Sequence, residues 1–436
     1  MKPRLAVFGV FVWAFALYMP TFAHPFVTWD DPIYIMLNPT VQQWWQATWA
    51  QRLLTARLLY PVPLPVGIYA AATALLGDHA ATGIHVLSAT IHGFNAVLLY
   101  LLGRRLTGAM GASLAAALLW ASHPLMVESV AWATNLKELL MTLAVLGCLL
   151  VFAEHQTSPK RLVWLAPLTA IGFASKPTFA VVGGLLLVVA WHHRDVRKAA
   201  IASVLSVVGG LYVLWTSAGH SAQMDLALAS RDPLVTIGKA AGLQALHTLW
   251  PFQLNPYYPL PLQSHDALSV LGWLVIACAL ACVAYFAKTR AMWSLGIALA
   301  VVAWLPYSNV LPLPRFTADT YAYLPGIGVA LAMASVLARS DRLFWMGLIV
   351  AAGLALLSSI QVQRWSSTEA LWGPLLGDPD HFALPYSLVA FEAHLLGDNE
   401  RAAELLDAAW PQLVDQVGEP GFAKNVFEAV GRPPRP

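Results

Sequence analysis

Apolar runs of 15–22 residues recur along most of this chain, each closed by a short polar or basic break. Runs of that length constrain the fold class more than any other feature. A helix of about 20 apolar residues spans a bilayer and satisfies its own backbone hydrogen bonds there. The composition agrees, with 58% of the 436 residues hydrophobic and 11% charged. The expected fold is therefore an all-α polytopic membrane protein. A net charge of +2, with no basic stretch interleaved with aromatics, argues against a nucleic-acid partner. Cys148, Cys278 and Cys282 lie inside apolar runs and read as packing residues, without metal-type spacing.

The spans are expected at about 5–22, 83–103, 108–122, 136–153, 162–175, 177–191, 199–217, 267–287, 291–306, 321–338 and 343–361. Lys2 and Arg4 followed by an apolar core and "TFA" resemble a signal peptide, but the core is long and reads as a retained anchor. With about eleven spans, every basic cluster falls on one side: Lys2/Arg4, Arg104/Arg105, Lys160/Arg161, Arg194/Arg197/Lys198, Lys288/Arg290 and Arg339/Arg342. The positive-inside rule makes that side cytoplasmic. The N-terminus is then expected on the cytoplasmic side and the tail on the outer side. The outer loops are then 23–82, 123–135, 218–266 and 307–320. Within the first, "PVGIYAAATALLG" (65–77) is too short to span, and Trp44, Trp45 and Trp49 suit an interfacial belt.

The chain divides into a transmembrane domain, 1–362, and a more polar tail, 363–436. In the tail, "LLGDNERAAELL" reads as a turn and an Ala-rich helix resembling a degenerate tetratricopeptide unit. One or two such units make a helical cap or a docking element, since too few are present for a solenoid.

Ionisable residues at membrane depth are costly and default to functional candidates. In "FVTWDDPIYIMLNP", Asp30 and Asp31 sit together in the first outer loop. An N-terminal cap on a helix starting near Pro32 accounts for one carboxylate, not two. A carboxylate held there suits deprotonation of an acceptor hydroxyl. "HPLMVESVAWATNLKELL" offers His123, Glu128, Lys137 and Glu138; His123 also suits a helix cap, and Lys137 snorkelling. Lys176 in "ASKPTF" falls on the outer side, against the charge rule, and so calls for an anionic partner. "PRFTADTYAYLPGIG" carries Arg315, Asp319, Tyr321 and Tyr323. The Arg315 guanidinium suits phosphate, or a salt bridge with Asp319, Asp30 or Asp31. "TLWPFQLNPYYPLPLQSHD" (248–266) reads as an interfacial loop or lid, with His265 and Asp266 as weaker candidates. Outer carboxylates with outer cations beside lipid suit a lipid-linked phosphosugar. No glycine-rich nucleotide motif is present.

Six motifs occur in the order seen in one family: "FVTWDDPIYIMLNPTV", "HPLMVESVAWATNLKELL", "ASKPTF", "LWPFQLNPYYPLP", "ADTYAYLPGIG" and "WSSTEALW…LLGDNERAAELL". The chain resembles transmembrane, tetratricopeptide-repeat O-mannosyltransferase-like proteins, within the GT-C fold polyprenyl-phosphosugar-dependent glycosyltransferases. The resemblance covers nearly the whole chain. It implies a GT-C-like bundle and inverting transfer from a polyprenyl-phosphate sugar to a hydroxyl of an exported protein. It assigns Asp30 and Asp31 as the acidic pair, with Asp30 favoured as base, and implicates His123, Glu128, Lys137 and Lys176. These motifs make no cofactor certain and leave metal dependence open, a divalent metal being compatible with the chemistry. The chain departs from the family at Met126, where a histidine is usual, at "YPVPLP" (60–65) in place of "RPL", and at Thr320, where the usual "ADRY" reads "ADTY". Competing readings are a non-catalytic membrane scaffold with a docking tail, transfer to a lipid or glycan, and a transporter of lipid-linked sugars. The last predicts internal repeats and mid-span carboxylates, and neither is evident.

Overall fold

The structure, a computed structural model, describes residues 3–54, 60–154, 158–217, 232–259, 266–377 and 383–413. Among them there is no β-strand, and the protein is all-α. In chain order the main helices are α1 (Pro3–Leu17), α2 (Pro63–Leu76), α3 (Ala80–Thr107), α4 (Met110–Ala121), α5 (Leu136–Phe152), α6 (Leu165–Ser175) and α7 (Val182–His193). Then follow α8 (Val196–Ser217), α9 (Pro233–Leu249), α10 (Ala267–Thr289), α11 (Met292–Trp304), α12 (Tyr323–Leu337) and α13 (Asp341–Arg364). The tail contributes α14 (Thr368–Trp372), α15 (Ala383–Leu395) and α16 (Asn399–Leu413). His265 lies outside the described residues.

Each of the eleven expected spans falls on a helix, and α2 and α9 are additional. Length and apolarity alone qualify six helical stretches among the described residues, or seven if α4 and Pro124–Ala131, bent by 58°, form one broken span. The difference from eleven is a matter of length. A 12-residue helix such as α7 rises about 18 Å, against a hydrocarbon core of about 30 Å. The protein is a multi-pass membrane protein on either count.

α5 is the centre of the bundle, packed against α3, α6 and α7. It is 78% buried, whereas the apolar stretches of α8, α10 and α13 are 17%, 11% and 17% buried and present Leu211, Leu274 and Ile349 outward, as lipid-facing helices do. Small residues set the closest packing. A Cβ on Gly272 of α10 would lie 1.7 Å from the Gly238 carbonyl oxygen of α9, and α11 meets α12 through Gly296 and Gly328 in the same way.

The two ends of α5 carry opposite chemistry. Its last turn meets the basic clusters: Arg105 donates to the Leu150 carbonyl at 2.9 Å, and the Lys198 ammonium donates to that of Phe152 at 2.9 Å. Its first turn carries Lys137 and Glu138, beside the acidic loop. Near that loop, α2 buries Val66, Tyr69 and Ala70 on the bundle, while Trp45 and Trp49 stay exposed. Arg52 lies over the Trp44 and Trp49 rings, at 5.4 and 4.9 Å. In the tail, α15 and α16 pair as a hairpin whose turn uses Gly397 at φ +84° and Asp398, which accepts the Arg401 N–H at 3.1 Å.

Candidate active site

Asp30 and Asp31, adjacent in sequence, have different surroundings. Pro32–Met36 forms one wide helical turn, closed by the Leu37 N–H on the Pro32 carbonyl at 2.7 Å. The Asp31 carboxylate does not cap this turn, contrary to the simplest sequence expectation. It reaches back to the Val27 N–H at 3.0 Å and across to Thr134, taking the backbone N–H at 3.0 Å and the hydroxyl. Asp31 is 1% exposed. Burial pushes its carboxyl up to about 6, against the pull of these three donors. The side chain of Asp30 is 37% exposed, and the Lys137 ammonium stands 3.8 Å from it.

Lys137 and Glu138 divide in the same way. The Lys137 ammonium lies over the rings of Tyr34 at 4.3 Å and Trp132 at 5.7 Å, facing Asp30. Lys137 is thus buried among aromatics and does not snorkel. Glu138, fully buried, takes Lys176 at 2.5 Å and the Tyr307 hydroxyl at 3.0 Å. Lys176 precedes Pro177 and is extended, at φ −160°, which turns its side chain out of the α6 register toward α5. Burial opposes its charge, but the Glu138 carboxylate prevails and holds the ammonium well above its usual range. The anion expected for Lys176 is therefore a carboxylate of the protein itself.

Arg315 pairs with Glu128, not with Asp319, Asp30 or Asp31. Its guanidinium donates to the Glu128 carboxylate at 2.7 Å and to the Pro256 carbonyl, and lies 5.5 Å over the Trp29 ring. The Nε of Arg315 is buried without a partner. Glu128 also accepts the backbone N–H of Thr320 at 3.0 Å, and the Thr320 hydroxyl meets that of Ser129 at 2.8 Å. Arg315, five residues before Thr320, thus shares the Glu128 carboxylate with the Thr320 backbone. Asp319 accepts the Tyr258 hydroxyl at 2.7 Å. Tyr258, Pro256 and Leu254, whose carbonyl accepts from Arg364, tie residues 254–258 into the site wall. Asp266 instead caps α10 through Ser269 and pairs with Lys239 at 2.8 Å.

His123 accepts the Leu125 N–H at 3.2 Å through Nδ1 and bonds the Thr248 carbonyl through Nε2, so it caps a turn. Tyr321 stacks on Tyr307, with ring centroids 4.8 Å apart, and its hydroxyl donates to the Arg315 carbonyl at 3.3 Å. Tyr323 is fully buried between α3 and α4, its hydroxyl bonded to His92 at 2.8 Å and Asn95 at 3.2 Å, and does not reach the charged cluster. The structure thus brings together Asp30, Asp31, Lys137, Glu128, Arg315, Lys176 and Tyr321. Tyr60, partly buried, lies within electrostatic reach of Tyr34, Lys176 and Tyr321.

Sequence reasoning missed an aromatic lining. Trp29 lies 5.1 Å from Trp372, 6.1 Å from Trp132 and 6.3 Å from Tyr257, measured between ring centroids. Trp29, Trp132 and Trp372 each lie inside a motif already quoted, but nothing in those motifs shows that the three rings meet across more than 340 positions of the chain. Among the described residues, no group of three or more His, Cys, Asp or Glu side chains is placed to hold a metal ion.

Residues 61–220 match the dolichyl-phosphate-mannose-protein mannosyltransferase family. The match covers a little over a third of the chain and is consistent with a GT-C O-mannosyltransferase-like protein. No curated protein and no solved structure gives a significant match. The matched stretch contains Glu128, Lys137, Glu138 and Lys176. Asp30, Asp31 and Arg315 lie outside it, and the fold carries them to the same place. The mannosyltransferase-like region therefore supplies one wall of the cluster, and the flanking segments supply the other.

Proposed function

We propose that the protein transfers a sugar, with inversion, from a polyprenyl-phosphate donor to a hydroxyl of an exported protein at the outer face of a bacterial inner membrane. One observation carries this reading. Asp30 is partly exposed and loosely paired, while Asp31, Glu128, Glu138 and Asp319 are all engaged by internal donors. A base must be free to meet its substrate. In this reading the acceptor hydroxyl attacks the anomeric carbon and Asp30 takes its proton. The bond between that carbon and the phosphate oxygen breaks, and polyprenyl phosphate leaves. A single displacement of this kind inverts the anomeric centre. Lys137, loosely paired with Asp30, is the candidate cation for the phosphate, and the one unpartnered donor of Arg315, its Nε, is a second. The aromatic wall suits the apolar face of a sugar ring.

Arg105, Arg161 and Lys198 lie at the end of α5 opposite Asp30, which supports an outward-facing Asp30 under the positive-inside rule. The test uses the full chain in nanodiscs with a polyprenyl-phosphate mannose and an exported-protein fraction. Asp30→Asn is expected to abolish transfer while the protein remains folded. Wild-type transfer by that variant would sink the reading. Label appearing in lipid or free glycan instead of protein would replace the acceptor class alone.

A further inference from the structure

The acidic loop is held from two sides, and only one belongs to the bundle. On the bundle side, Asp31 is fastened to Thr134. On the other side stands the tail. The Thr368 hydroxyl of α14 accepts both the backbone N–H and the hydroxyl of Thr28, each at 2.9 Å. The Trp372 indole N–H donates to the Thr28 carbonyl at 3.1 Å, and its ring packs on Trp29. Thr28 thus has its backbone donor and acceptor both bonded by residues some 340 positions away. Thr368 and Trp372 are fully buried. The Thr368 hydroxyl in turn donates to Glu392 of α15, and Glu369 of α14 pairs with Arg401 of α16 at 2.9 Å. A polar chain therefore runs from the tail hairpin through Thr368 to Thr28, two residues before Asp30.

We propose that Thr368 and Trp372 are positioning residues, through which the tail holds residues 26–31 so that Asp30 faces Lys137 and the substrate cleft. This rests on Asp30 being the base. A residue that orients a base without touching substrate acts on the reactive geometry, and displacement of about 1 Å can lower turnover about 100-fold. Such a residue shifts kcat with little effect on the donor KM.

The experiment compares wild type, Thr368→Val and Thr368→Ser in nanodiscs by two readouts. The first is amide hydrogen exchange over residues 26–31, which needs no turnover. The second is steady-state transfer from polyprenyl-phosphate mannose. Thr368→Val is expected to raise exchange in that segment about tenfold and to lower kcat about 10- to 100-fold at unchanged donor KM. Thr368→Ser, which keeps the hydroxyl, is expected to restore both. Unchanged exchange in Thr368→Val, or raised exchange with wild-type kcat, overturns the proposal. If Thr368→Val does not fold, Trp372→Phe, which removes the indole donor and keeps an aromatic ring, is judged by the same criteria. Failure of the wild type to transfer sugar would sink the enzymatic reading instead. Exchange then decides whether the tail holds the loop: faster exchange upholds that anchoring, and equal exchange refutes it.

Discussion

Lys137 and Glu138 are neighbours in the first turn of α5, yet they build two different kinds of ion pair. Lys176 and Glu138 are 2.5 Å apart and both side chains are buried, with the Tyr307 hydroxyl on the same carboxylate. Lys137 and Asp30 are 3.8 Å apart, and more than a third of the Asp30 side chain meets solvent. A closed, buried pair has no capacity for a substrate, and breaking it leaves a charge stranded at low dielectric. A loose, half-exposed pair contributes little to stability and can be opened at small cost. The first pair therefore joins α5 to the α6–α7 junction. The second is the place for chemistry.

The largest expected effect breaks the contrast at the open pair. Asp30→Asn should lower transfer about 10³-fold or more with no change in thermal melting. If melting collapses instead, Asp30 is structural and the comparison fails. At the closed pair the reverse holds. Glu138→Gln strands the Lys176 ammonium and should cost about 3–5 kcal/mol of stability, read as a drop in denaturation midpoint. Adding Lys176→Met should recover much of that loss. A smaller effect is expected at Lys137, whose ammonium sits between Asp30 and two aromatic rings. Lys137→Met should reduce transfer about 10- to 100-fold, while Lys137→Arg keeps a cation and retains more. Equal losses of stability in Glu138→Gln and Lys137→Met would erase the distinction between the pairs.

Much of this was legible in the sequence, and the limits have physical causes. The long apolar runs marked the helices because hydropathy is local. α9 escaped because its run is short and mixed, although Asp232 before Pro233 is a helix-start signal, and Asp232 does accept the Leu234 N–H at 2.8 Å. The two carboxylates were visible as charges out of place. Their division of labour was not, because it depends on Thr134, which lies 103 positions from Asp31. Likewise Arg315 reads as a candidate cation, but its partner Glu128 is 187 positions away. Tyr323 was overrated for the same reason: its motif lies beside the site, while its side chain turns into the bundle against His92 and Asn95.

The smallest predicted effect tests Asp31 by pH. Its carboxyl moves from 3.8 to about 6 on folding, chiefly through burial, so the folded state holds the proton more tightly than the unfolded chain. Below about pH 4 the group is protonated in both states and its contribution is fully present; as pH rises toward 6 the unfolded chain ionises first and stability falls. A rise of that size is worth at most about 3 kcal/mol. Asp31→Asn cannot titrate, and its amide presents one acceptor oxygen where Val27 and Thr134 offer three donors. It should therefore be less stable than wild type at neutral pH, by the loss of one or two hydrogen bonds at about 1 kcal/mol each. The gap between the two proteins should widen from pH 6 down to pH 4, as the wild type gains what the variant cannot. Melting curves at half-unit pH steps measure this directly. A gap independent of pH would mean that Asp31 stays ionised throughout, and that Thr134 and Val27 outweigh burial.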